Sequence, residues 1–150
     1  MDPSPTPGES PELEINDQFV PGTDPEFVAR VVQSVLAYTG RPGMRVSLLL
    51  TDEAEIGRIH GEFLGDDSAT DVISFEIDGG VDIVVSVERA RAQAQERGHA
   101  HEAELALYIT HGILHACGYD DVEASDRAAM RDAERAVLGD LGLRIDDVDA

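Results

Sequence analysis

The chain has 150 residues, 42% of them hydrophobic, with 31 acidic against 11 basic side chains for a formal charge of −20, and a single cysteine. That length suits one domain with a real core, no apolar run is long enough to span a bilayer, and a lone cysteine excludes an internal disulfide framework. The acidity disfavours any function that grips nucleic acid through basic clusters, all the more because no run of basic residues exists.

In chain order, residues 1–10 are rich in proline and polar side chains and lack the basic start and apolar core of a secretory signal, so a disordered tail and a cytoplasmic location are expected. Leu13-Glu14-Ile15-Asn16 alternates as a short strand does. Asp24 caps a helix with Pro25 at its first position, running to about Tyr38 before Gly40, Pro42 and Gly43. Val46–Leu50 is a second apolar strand, and strand, helix, strand predict a right-handed parallel crossover. Asp52 caps a further helix, with Glu55 completing a capping box, that ends near Gly61 ahead of a loop at Gly65–Ser68.

Asp71–Ile77 and Val81–Ser86 are rich in β-branched residues and joined across Asp78-Gly79-Gly80, which predicts an antiparallel hairpin. Ser86 caps a helix to Arg97 with Gly98 as its stop, and Glu102 to about Cys117 forms the next, with Leu105, Tyr108 and Ile109 on its core face. Asp126 to Leu138 is a last amphipathic helix ended by Gly139 or Gly142, and an acidic tail covers 144–150. The expected fold class is α+β: one domain over 11–143, with a small mixed β-sheet of about four strands packed with helices.

Chemistry concentrates in His111-Gly112-Ile113-Leu114-His115-Ala116-Cys117-Gly118-Tyr119-Asp120-Asp121. Histidines four residues apart share one helical face, roughly 6 Å apart, so both imidazoles reach a single divalent ion. Gly118 can take the left-handed conformation that ends a helix, and the turn beyond it can return Asp121 as a third ligand. Two nitrogens and a carboxylate leave a coordination position open, which marks a catalytic rather than a structural site. Such pairs also occur on ordinary helices, but the glycine and the carboxylate at these spacings favour the metal site. Asp120 is the neighbouring alternative, as a ligand in place of Asp121 or as a cap for the next helix. Cys117 lies about 200° around the helix from His115 and reads as a small buried side chain.

Metalloproteases of the zincin type place a glutamate base directly after the first histidine, where this chain has Gly112. Peptidase chemistry therefore lacks its usual base. A metal-activated water suited to a phosphorus or carbonyl centre remains, and no catalytic side chain beyond it can be named.

At this point the chain resembles the YbeY endoribonucleases of bacterial ribosomal RNA maturation, whose signature H-G-x-L-H-x-x-G-Y-D-H is matched by HGILHACGYDD. Thr70 to Phe75 is similar to the family's T-D-V-L-S-F strand, and Asp82 to Ser86 to its G-D-I-x-I-S strand with Val81 in the glycine's place. Met130 and Glu134 fall where the family has M-F-x-x-E, so the resemblance runs from about Leu48 to Leu138. It implies a single-strand-specific metallo-endoribonuclease acting in 16S rRNA 3′-end maturation and ribosome quality control. Its partners would be ribosomal RNA and a small-subunit ribosomal protein, not DNA or a membrane.

The ion would be held by His111, His115 and Asp121, with Asp71, Thr70 and Asp120 behind them. Asp121 replaces the family's third histidine, which lowers the site's net charge by one, weakens the ion as a Lewis acid, and admits Mn²⁺ beside the expected Zn²⁺. Leu64 stands at the family's arginine and can neither orient a phosphodiester nor stabilise its charge. Two other readings follow from these departures. One is a non-catalytic ribosome-assembly factor with a structural metal; the other is a metal hydrolase of another substrate.

The remaining polar residues take plainer readings. Arg58 is read as an exposed helix residue rather than a substitute for the missing arginine. Arg89, Arg91 and Arg97, interleaved with Glu88 and Glu96, form a solvated face more readily than a basic stripe. His60, His99 and His101 lie outside the motif and read as surface histidines, and Ser74 as a strand hydroxyl bonded to backbone or water.

Overall fold

The computed structural model describes residues 13–19, 22–64, 71–77, 79–120 and 122–143, with residues 63 and 64 described by their backbone. The proposed tails at 1–10 and 144–150, the Gly65–Ser68 loop, Thr70, Asp121 and the Leu64 side chain lie outside these residues.

The elements are β1 (Leu13–Asp17), α1 (Pro25–Thr39), β2 (Arg45–Thr51), α2 (Glu53–Leu64), β3 (Val72–Ile77), β4 (Gly80–Ser86), α3 (Val87–Arg97), α4 (His101–Ala116) and α5 (Ala124–Asp140). The four strands lie in the order β1-β2-β4-β3. β1 and β2 are parallel, with Ile15 opposite Leu48, and β2 and β4 are parallel, with Leu48 opposite Ile83. β3 runs antiparallel to β4 and sets Ser74 opposite Ile83. The expected α+β class and mixed sheet are both present.

Local chemistry explains most boundaries. The Asp24 carboxylate accepts from the Glu26 amide at 3.0 Å, Asp52 accepts from the Glu55 amide at 2.8 Å, and the Ser86 hydroxyl accepts from the Arg89 amide at 3.0 Å. α2 continues past Gly61 to Leu64, because the Arg58 pairs with Glu55 and Glu62 brace its exposed face. Gly80 belongs to β4, pairing with both Arg45 and Ile77, so the hairpin turn is shorter than predicted. α5 runs through Gly139 to Asp140, where buried Val137 and Leu138 hold its last turns against the core.

Alternation along the strands separates two apolar layers. Val46, Leu48, Leu50, Val81, Ile83 and Val85 join the main core with α1, α4 and α5, while Ile73 and Val84 meet Ile56 and Ile59 of α2 on the other face. α4 is the central helix: Ala103–Thr110 and Gly112–Leu114 are buried in it, and it packs against β3, β4, α1, α3 and α5. A helix enclosed on so many sides is fixed in position, which bears directly on the histidines it carries.

Candidate metal centre

His111 and His115 lie one turn apart in the last part of α4, their ring centroids 6.4 Å apart and tilted by 40°. His111 is half-buried and His115 is exposed, so the pair sits where the helix leaves the core. Two imidazoles bound tetrahedrally to one zinc at about 2.0–2.1 Å from one nitrogen each hold their centroids roughly 5 Å apart, so the pair stands about 1 Å wider than that, a gap that side-chain rotation of the exposed His115 closes. Two nitrogen donors at the mouth of a rigid helix suit zinc-type chemistry.

The end of α4 has the form expected from the sequence. Gly118 takes φ +101°, its amide donates to the His115 carbonyl at 3.1 Å, and the Tyr119 amide donates to the Leu114 carbonyl at 3.0 Å. This Schellman closure ties the turn at Gly118 and Tyr119 onto the carbonyls of His115 and the residue before it, Leu114. Cys117 stands at the C-cap rather than inside the helix, partly exposed and packed against the main core, a correction to its reading as a buried side chain.

Gly112, between the histidines, faces the sheet. A Cβ built there would come within 3.0 Å of Val72 Cγ2, 3.1 Å of Ile83 Cγ2 and 3.2 Å of Ser74 Oγ. The glutamate base of a zincin therefore has no room at this position and would point away from the histidine pair. Ser74 is no nucleophile: its hydroxyl donates to the Gly112 carbonyl at 2.8 Å, the backbone role expected for it.

The contact that spacing did not reveal is Glu134 of α5. Its side chain is fully buried, its Oε2 lies 2.8 Å from His111 Nδ1, and its Oε1 accepts from Arg131. The pattern of Met130 and Glu134 on one helix placed the residue in sequence, but which element it would meet depends on how α5 crosses α4.

The other expected site residues are distributed as follows. Asp71 lies just before β3 and pairs with Arg89 Nε at 2.6 Å, while its backbone carbonyl accepts from the Ser86 amide at 3.0 Å. Burial works against the Arg89 charge, but the Asp71 carboxylate outweighs it and raises the guanidinium pKa. Asp120 is exposed, and α5 starts behind Glu123, so Asp120 is not the cap of that helix. Thr70 and Asp121 lie outside the described residues. Among the described residues no three His, Cys, Asp or Glu side chains converge as a ligand set, so the histidine pair is the part of the predicted triad in view.

Arginines do not form a basic stripe, nor a merely solvated face. Arg89 also reaches Glu53 at 3.4 Å, Arg97 reaches the buried Glu104 at 3.4 Å, and Arg91 lies 5.3 Å over the Phe19 ring. Arg58 is exposed as expected, held at 2.7 Å by Glu55 and 2.5 Å by Glu62. His99 departs from its surface reading. Its side chain is only 7% exposed, and its Nε2 lies 3.9 Å from Glu104 Oε1, because the turn between α3 and α4 folds it inward. Glu104 itself has its pKa raised by burial, against the opposing pull of Arg97 and His99.

Comparison with known proteins bears on this geometry. The family model described as Endoribonuclease YbeY matches residues 15–142. An Endoribonuclease YbeY of Roseiflexus castenholzii is 36% identical over 147 residues, covering 88% of this chain and 92% of that protein. The one from Chloroflexus aggregans is 38% identical over 148 residues, covering 88% and 95%, and that of Desulfitobacterium hafniense is 41% identical over 113 residues, covering 65% and 72%. The solution structure of TM1509 from Thermotoga maritima superposes with a TM-score of 0.63 at 23% identity, covering 87% of this chain and 91% of that one, and so shares the fold. With a match that takes in β2 through α5 and both histidines, the chain belongs to the YbeY endoribonuclease family.

Proposed function

We propose that this chain is a metal-dependent endoribonuclease, cutting single-stranded RNA at an ion held by His111, His115 and Asp121. The observation that carries the reading is the histidine pair, 6.4 Å apart at the exposed end of an otherwise enclosed helix, in a chain related throughout to proteins named Endoribonuclease YbeY. Substrate in the 3′ region of 16S rRNA, a small-subunit ribosomal protein as partner, and a cytoplasmic setting complete the proposal, supported by the family relationship. Among the described residues no helix is long and apolar enough to cross a membrane. Neither a non-catalytic assembly factor nor a hydrolase of another substrate class is favoured by that relationship.

A divalent ion at this site supplies Lewis acidity toward a phosphoryl oxygen and acidifies a water for attack on phosphorus. The chain's own contribution is placement. Enclosure of α4 fixes the imidazoles, the exposure of His115 leaves the site open to a polymer, and the Schellman turn closes the helix at Gly118, three residues before Asp121 in the sequence. Zinc is the ion we propose, with manganese as the alternative that a carboxylate ligand admits.

Because −20 of net charge repels phosphate at long range, RNA capture through the protein's own surface is weak, and the ribosomal partner presents the strand. The test is cleavage of a single-stranded RNA by the metal-loaded protein beside His115→Ala with its helical signal intact. Loss of at least about 100-fold in rate is expected for removal of an ion that supplies several kcal/mol to the transition state. Undiminished cleavage by the variant would refute the assignment.

A further inference from the structure

Glu134 is wholly enclosed, yet both of its carboxylate oxygens are partnered from the histidine end of the molecule. Arg131, one turn earlier on α5, supplies the counter-charge at Oε1, and His111 Nδ1 lies 2.8 Å from Oε2. The Arg131–Glu134 pair, with Arg131 one-fifth exposed, is by itself weak evidence for stability, whereas the contact of Glu134 with His111 is directional. A carboxylate accepts and does not donate, so the ring nitrogen that faces it carries the proton. The lone pair of a neutral imidazole in that state is on Nε2, the nitrogen that Glu134 does not engage.

We propose that Glu134, braced by Arg131, is the positioning residue of His111: it holds Nδ1 as the donor and so presents Nε2 to the divalent ion. This inference rests on the metal reading above. Glu134 touches neither substrate nor ion, and it acts by fixing the tautomer and ring angle of a ligand, which governs how tightly the ion is held. Arg131 also offsets one of the two negative charges that Asp121 and Glu134 bring to the neighbourhood, which limits the loss of Lewis acidity that a carboxylate ligand causes.

The first readout needs no variant. Long-range ¹H–¹⁵N correlation on the zinc-loaded, histidine-labelled full chain, with His111 assigned by comparison with His111→Ala, should show the proton of this ring on Nδ1. A proton on Nε2 would overturn the proposal. The second is zinc affinity by competition with a chromogenic chelator. Glu134→Leu should weaken binding by about 10–100-fold, the range for losing such a partner, while Glu134→Gln, which keeps an oxygen acceptor, stays within about fivefold of wild type.

Equal affinity of all three proteins would also overturn the proposal. If Glu134→Leu does not fold, the wild-type tautomer decides. A wild-type protein that takes up no zinc removes the metal reading itself and this inference with it. Zinc bound by wild type through Nδ1, or held as tightly without Glu134, removes the positioning role alone.

Discussion

The Ser74 hydroxyl donates to the Gly112 carbonyl at 2.8 Å, a side chain of β3 clasping the backbone of α4 midway between the two histidines. That clasp works only because Gly112 has no side chain, since a Cβ would meet Val72, Ile83 and Ser74 at 3.0–3.2 Å. The glycine that removes a zincin-type base is thus the residue that seats the helix carrying both histidines against the sheet. Gly112→Ala is therefore expected to lose about 1 kcal/mol of stability: overpacking costs about 1–3 kcal/mol, and improved helix propensity offsets about 1. Ser74→Ala should lose about 0.5–1.5 kcal/mol. Urea denaturation measures both, and a stabilised Gly112→Ala would show that the helix and sheet are not in close contact there.

Glu104 gives the stability a pH dependence of definite sign. Burial raises its carboxyl pKa in the folded state above the unfolded value, so its contribution is fully present below the unfolded pKa and is lost as pH rises through the folded pKa. The charged and titratable groups that act on it include Arg97, His99, Asp71 and Tyr108. Glu104→Gln, which cannot ionise, should be more stable than wild type at pH 8, with the gap closing as pH falls below the ordinary carboxylate range. Denaturant midpoints at several pH values test this. A wild type that is the more stable partner at pH 8 would mean that the Arg97 and His99 contacts outweigh burial.

Binding of RNA should depend only weakly on salt. Among the described arginines, Arg58, Arg89, Arg97, Arg131 and Arg135 are paired with carboxylates, which leaves them less able to displace counterions. With about two phosphates neutralised, log Kd against log salt for a single strand has a slope of about 1.5 in magnitude. Fluorescence anisotropy of a labelled oligonucleotide over a potassium chloride series gives the number. A slope of about 4 or more would reveal a basic surface that the sequence and fold do not show.

How much of this was legible in the sequence depends on whether a feature is local. The caps at Asp24, Asp52 and Ser86, the αL closure at Gly118 and the His111–His115 spacing are set by residues within a few positions of each other, and the structure reproduces them. Gly61 predicts an earlier end for α2 than the structure shows, because the Arg58–Glu62 pair carries the helix through it to Leu64. Contacts between distant elements were out of reach. Nothing local to His99 says that the α3–α4 turn buries it, and nothing local to Glu134 says that α5 delivers it to His111. Asp71 shows the same limit, since its partner Arg89 comes from a helix 18 residues away.

The most direct test of the central claim is elemental analysis of the purified full chain, wild type beside Asp121→Ala, followed by assay of the same samples on a single-stranded RNA. The expected result is about one zinc or manganese per wild-type chain, with metal and RNA cleavage lost together in Asp121→Ala, since three protein ligands define a catalytic site of this kind. Wild-type protein that takes up no metal even after loading, or that cleaves RNA as well without metal as with it, would contradict the account.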